Sequence, residues 1–289
     1  MNNGKSSFGP IEECIYCGKC ETELSKEHII PYALGGKDIL LKASCEDCQK
    51  ITSKFELTVL RKELFQIRAK LGLPSRKSTY PKELPLIVEL GGKVKTFYLP
   101  TTKYPTLGGF LEYPLPGVLG GTAPERGINV TGFALQQIGG PDIEDLKELV
   151  GSGTLTGRFV SHGNAFERML AKIAFGYGVS EYGLGVVRNS PLRSIILGKS
   201  EDIGHWIGMS DPNPINKRTF HRVILEGRDG WILAKIRLFA RMPEYLVVIL
   251  EGDPQFRPQI AIPPMREKAN PKIKANIRLS TKPNSLNYK

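Results

Sequence analysis

Cysteine is missing from the last 241 residues of this 289-residue chain, and histidine occurs only four times. With no secretion signal and a reducing cytosol expected, a disulfide reading of the cysteines is weak. Long apolar runs are also missing. The strongest, Tyr245-Leu-Val-Val-Ile-Leu250, is strand length and far below the roughly 18 residues of a membrane span. Met1-Asn-Asn-Gly-Lys-Ser-Ser lacks the apolar centre of a secretion signal, so a soluble, cytoplasmic protein with no membrane partner is expected. An acidic excess is absent as well: 40 Lys and Arg face 29 Asp and Glu, for a net charge of +11. A hydrophobic content of 40% excludes a disordered chain, and this length buries a core without covalent staples.

The charge is unevenly placed. Residues 1–75 carry 11 basic and 10 acidic side chains, whereas residues 265–289 carry seven basic and one acidic. A basic stretch of low apolar content predicts a flexible arm able to neutralise phosphates; the alternative is a solubilising tail with no specific partner.

All five cysteines fall within residues 14–48. Four form Cys14-x-x-Cys17 and Cys45-x-x-Cys48, separated by 27 residues. Two such turns aim two sulfurs each at one point, which predicts a tetrahedral four-thiolate Zn²⁺. A closed site of this kind is structural. Cys20, the fifth, follows Cys17 by three residues and could compete as a ligand or stand by.

Between the pairs, Glu27-His-Ile-Ile30 reads as a strand, Pro31–Lys37 as a turn-rich loop with Gly35-Gly36, and Ile39–Leu41 as a returning strand. After Cys48, Ile51, Phe55, Val59, Leu64 and Ile67 mark a helical apolar stripe, with Gly72 and Pro74 as its stop. The order is hairpin, then helix, with one metal tying their starts.

A Cys-x-x-Cys, a Glu-His-Ile-Ile-Pro strand, a Gly-Gly loop and a second Cys-x-x-Cys opening a helix resemble the HNH (His-Asn-His) endonucleases, whose fold is the ββα-metal finger. Ala43-Ser-Cys-x-x-Cys and Thr52-Ser-Lys-Phe-Glu56 are similar to a bacterial subgroup of that family. The resemblance covers about residues 11–72 and implies phosphodiester hydrolysis. His28, with an ordinary pKa near ~6.5, suits the general base that activates water. In the family the acidic residue before the histidine reaches a metal, which implies that Glu27 holds a catalytic Mg²⁺ or Mn²⁺ distinct from the zinc. A structural or zinc-binding His28 is the alternative. The central Asn of the family is absent, with Lys42-Ala43-Ser44 in its place, and Gln49 stands where His or Asn usually follows the second cysteine pair. Gln49, Ser53 and Glu56 share one helix face. Glu56 is therefore expected as the helix-borne ligand, with Gln49 or Ser53 orienting water. An exposed surface Glu56 is the other reading.

The remainder predicts an α+β fold with an antiparallel sheet. Expected strands are Leu86–Leu90, Gly92–Leu99, Gly127–Gln137, Phe220–Leu225, Trp231–Phe239 and Tyr245–Leu250, with a turn at Arg228-Asp-Gly230. Residues 104–121, rich in Gly and Pro, predict an irregular loop, and 141–150 a short helix. Asn164–Phe175 predicts the clearest helix, capped by Asn164 with Glu167 in the capping-box position and ended by Gly176 and Gly178. His162, His205 and His221 read as structural. Gly108-Gly109 and Gly120-Gly121 read as turns. The expected division is residues 1–76 as the nuclease unit, 77–264 as an α+β domain, and 265–289 as the tail. Nucleic acid, DNA ahead of RNA, is the expected partner. A self-association surface or a regulatory ligand site could lie in 77–264. The rival to a nuclease is a degenerate, zinc-stabilised nucleic-acid-binding or regulatory protein.

Overall fold

The computed structural model describes residues 6–75, 79–90, 92–141, 146, 154–213, 215, 220–264 and 273–280, and among these thirteen strands and a set of mostly short helices are arranged α+β. The N-terminal sheet has the order β1 (Ser7–Phe8), β3 (Ile39–Cys45), β2 (Leu24–His28). β2 and β3 are antiparallel, pairing His28 with Ile39 and Leu24 with Cys45. The register shifts between Ser25 and Glu27; β3 carries the extra length there, with Lys42 left-handed at φ +46°. The loop between the strands closes tightly: a Cβ on Gly36 would lie 2.0 Å from the Ile30 carbonyl oxygen, so only glycine fits. The helix Glu46–Thr58 follows directly, continues as one π-helical stretch, Val59–Glu63, and ends in Phe65–Lys70. Arg68 is buried and fastens this helical arm to the hairpin, donating to the carbonyls of Ala33, Leu60 and Pro74.

β4 (Glu83–Leu90) and β5 (Lys93–Pro100) form the hairpin that their alternation predicts. β8 (Thr154–His162) continues that sheet, and β13 (Ile273–Ser280) adds a parallel edge strand from within the basic tail. β10 (His221–Arg228), β11 (Trp231–Leu238) and β12 (Glu244–Leu250) form an antiparallel meander around the expected turn, where Asp229 and Gly230 both take positive φ. β9 (Ile207–Asp211) completes that sheet.

Several local expectations give way to tertiary packing. Residues 104–121 are not an irregular loop: they contain β6 (Thr106–Glu112), which pairs with β7 (Gly132–Gly139), and a short helix, Gly117–Gly120. Gly108-Gly109 lies inside β6 rather than in a turn, because Phe110 packs where a side chain on Gly108 would go. The expected helix at 141–150 lies almost wholly outside the described residues. The long helix runs from Ala165 to Tyr182, well past Gly176 and Gly178. Those glycines do not end it; they let other elements approach. A Cβ on Gly176 would sit 3.0 Å from Ile29, and one on Gly178 3.3 Å from Ile249. Asn164 is left-handed at φ +54° and makes no side-chain cap, and Glu167 turns instead to Tyr113.

This helix is the centre of the molecule. Met169, Leu170, Ala171, Ile173, Ala174 and Phe175 are all fully buried, and one core joins Cys14, Ile29 and Phe55 to Phe175, Ile236 and Ile249. The hairpin-helix unit and the meander thus both pack on one element. Among the described residues, no helix is long and apolar enough to cross a membrane.

Candidate metal centre and active site

Two short turns build the metal centre. Gly18, at φ +82°, donates its N–H to the Cys14 carbonyl (2.8 Å), curling Cys14 and Cys17 together. Cys45 closes β3 and abuts the helix whose first turn carries Cys48. All four Sγ atoms lie within 4.8 Å of one another, and those of Cys17 and Cys45 are 3.6 Å apart. Zinc with bonds near 2.3 Å spaces its tetrahedral sulfurs by about 3.8 Å, so the donor set fits. Burial, and then the neighbouring Cys14, pushes the Cys48 thiol far up, and burial raises Cys14 as well. Crowded, buried thiols resist ionisation unless a dication compensates them, which is the chemistry of a metal-thiolate site. The four cysteines could hold a metal such as zinc. Cys20 is exposed and stands outside the cluster.

β2 and the helix Glu46–Thr58 bring the expected acidic residues together. Glu27 is 8% exposed and Glu56 is largely buried. Their Oε1 atoms converge on one point, but that point is an ammonium nitrogen. Lys172 Nζ, from the middle of the long helix, forms ion pairs at 2.7 Å with Glu27 and at 2.7 Å with Glu56. It also donates to the His28 carbonyl oxygen at 2.7 Å. Three oxygens thus meet the three donors of one ammonium. Burial opposes the charge on Lys172, but the two carboxylates outweigh it and hold the lysine above its ordinary range. Burial pushes the Glu56 carboxyl up, with Lys172 acting against it. A Mg²⁺ or Mn²⁺ at this point would stand against a fixed positive charge in a water-poor site, so these residues, arranged as they are, do not fit a dication.

His28 ends β2, is half-buried, and lies edge-on to Tyr32 with ring centroids 5.8 Å apart. It is not part of the cysteine cluster. Gln49 Nε2 donates to Ser25 Oγ, which ties the start of the helix to β2. Ser53 is exposed on that helix. The buried stripe is Cys48, Thr52, Phe55 and Val59, with Glu56 beside it.

The three other histidines separate clearly. His221 Nδ1 accepts from the Phe239 N–H at 3.2 Å, so Nε2 donates to the Leu34 carbonyl at 2.8 Å. Burial pushes His221 down to about 4, which fits a neutral structural group. His162 lies 3.4 Å from Glu63. His205 stacks edge-on against Trp206.

Sequence reasoning misses Lys172. Its one local signal is a lone charge inside the run Met169-Leu-Ala-Lys-Ile-Ala-Phe175. It also misses the neighbouring contacts from the same helix. Arg168 lies 4.8 Å over the Phe55 ring, and Tyr177 donates to Asp38 at 2.8 Å. Positions 168, 172 and 176 recur at four-residue spacing, so one face of the helix carries the hairpin-helix unit.

No curated protein and no solved structure matches the chain. Residues 14–64 match the family model described as HNH endonuclease. The cysteine-clustered ββα unit at the N-terminus is thus similar to the HNH endonucleases over these residues, and it is carried by a longer α+β chain.

Proposed function

We propose that this protein hydrolyses phosphodiester bonds in DNA, in the cytoplasm, with His28 as the general base and a structural zinc on Cys14, Cys17, Cys45 and Cys48. The observation that carries the reading is His28 itself: a half-buried imidazole at the end of β2, within the region that matches the HNH endonucleases. Zinc bound by four thiolates has no open position, so it would supply only a cross-link between hairpin and helix. The imidazole takes a proton from water as the water oxygen attacks phosphorus and the bond to the leaving sugar oxygen breaks, and that oxygen takes a proton from solvent to leave as a hydroxyl. Gln49, held by Ser25, and exposed Ser53 on the same helix are the polar groups assigned to orient water.

The test is nicking of supercoiled plasmid by the zinc-loaded full chain, with Mg²⁺ or Mn²⁺ added and omitted. Chelators are avoided because they would also strip the zinc. His28→Ala should keep its zinc and its melting temperature and lose at least ~10²-fold in cleavage. Full nicking by that variant would sink the mechanism.

A second reading has a specific observation behind it. The buried Lys172 ammonium between Glu27 and Glu56 suits a protein that binds nucleic acid through an HNH-type finger without cutting it. Plasmid binding by the parent with no nicking under any metal condition would favour that reading.

A further inference from the structure

The carboxylates expected to hold a catalytic dication are satisfied by a side chain more than a hundred residues further along the chain. We propose that the Lys172 ammonium permanently takes the place of a divalent cation between β2 and the helix Glu46–Thr58, so that Glu27 and Glu56 bind no Mg²⁺ or Mn²⁺ in the folded protein. This substitution holds whether or not the chain cuts nucleic acid.

Two observations support it. First, the contacts are those of a cation site: two carboxylate oxygens and one backbone carbonyl oxygen, each 2.7 Å from Nζ. The carbonyl belongs to His28, so the ammonium also fixes the backbone that presents the imidazole. Lys172 is thereby a positioning residue for His28. Second, the lysine cannot swing away. It is 1% exposed, and its helix neighbours Leu170, Ala171, Ile173 and Ala174 are fully buried, so withdrawing it would open the core. Contacts one turn before and one turn after, Arg168 on Phe55 and Gly176 against Ile29, hold the helix at this distance.

The fold therefore supplies internally, as one tethered positive charge, what a metal would supply from solution. The difference matters at the site, because a tethered ammonium has no exchangeable coordination position for water or phosphate.

The experiment is a Mn²⁺ titration of the zinc-loaded full chain, read by the loss of the free-Mn²⁺ electron paramagnetic resonance signal and by thermal melting. The parent and Glu56→Gln should show the same Mn²⁺ stoichiometry and the same Mn²⁺ dependence of melting. Lys172→Met, which keeps the length and removes the charge, should take up one further Mn²⁺ per chain and melt higher as Mn²⁺ is added. One Mn²⁺ bound by the parent and lost in Glu56→Gln would overturn the proposal. A folded Lys172→Met that gains no Mn²⁺ would overturn it too, because the ammonium would then not stand in a cation site. If Lys172→Met fails to fold, the parent and Glu56→Gln decide alone. Neither readout involves cleavage, so failure here leaves the nuclease reading standing, and an inactive protein leaves this one standing.

Discussion

Single side chains set the energetics of the site. Lys172, Glu27 and Glu56 share a buried ion cluster, and removing one member strands the others in a poorly solvated place. Lys172→Met should therefore cost about 3–5 kcal/mol, measured by urea unfolding without added dication; a neutral effect would mean that the cluster is well hydrated. Glu167 gives a prediction with a different sign. It is 2% exposed and accepts from the Tyr113 hydroxyl, with Glu63 nearby. Burial pushes its carboxyl up to about 7 from 4.5. In the fold the proton is held more tightly than in the unfolded chain, so the stability it contributes is complete below about 4.5 and is lost as pH rises through about 7. Glu167→Gln should flatten that loss, narrowing the gap in melting temperature between pH 5 and pH 8. Sequence alone makes the four cysteines legible because the two spacings and the metal geometry are both local. Glu56 is picked out because helical period sets it on one face with Gln49 and Ser53, and the structure brings it to the same ammonium as Glu27. Lys172 is not, because its partners are set by tertiary packing across more than a hundred residues.

Elements carry the next layer. Cys45 ends β3 and begins a helix, so its thiolate would anchor two elements at one metal. Cys45→Ala is expected to lose zinc and to melt the hairpin-helix unit at lower temperature, read by metal content and by hydrogen exchange over residues 24–58. Retained zinc with native protection would show that Cys20 can substitute. The strands of the meander are readable from alternation and from Arg228-Asp-Gly230, since both signals act within a few residues. The long helix is only half readable. Gly176 and Gly178 look like a stop, yet Ile29 and Ile249 press against them, and the close approach outweighs the helix propensity given up. β6 hides in a Gly-rich stretch for the same reason: Phe110 occupies the space above Gly108.

At the scale of the molecule, the core runs unbroken from the cysteine turns through the long helix to the meander. Charge is distributed differently from core. The tail from 265 to 289 holds seven of the basic residues, and within it Ile273–Ser280 is an edge strand beside β8. Deleting the tail would remove strand and charge together, so the cleaner variant replaces Lys272, Lys274, Arg278 and Lys282 with Gln. If these residues meet phosphate, non-specific DNA affinity should fall and the salt slope should flatten by up to ~0.9 for each phosphate no longer neutralised; an unchanged slope would remove the tail from the interface. The distance in sequence between Glu56 and Lys172 also has a consequence during synthesis. The cysteine turns, Glu27 and Glu56 are made first, and the ammonium that neutralises the two carboxylates follows more than a hundred residues later. At roughly 5–20 residues per second, the nascent hairpin waits on the order of ten seconds for its counter-ion. In that interval the two carboxylates stand without the internal counter-ion that the folded protein gives them.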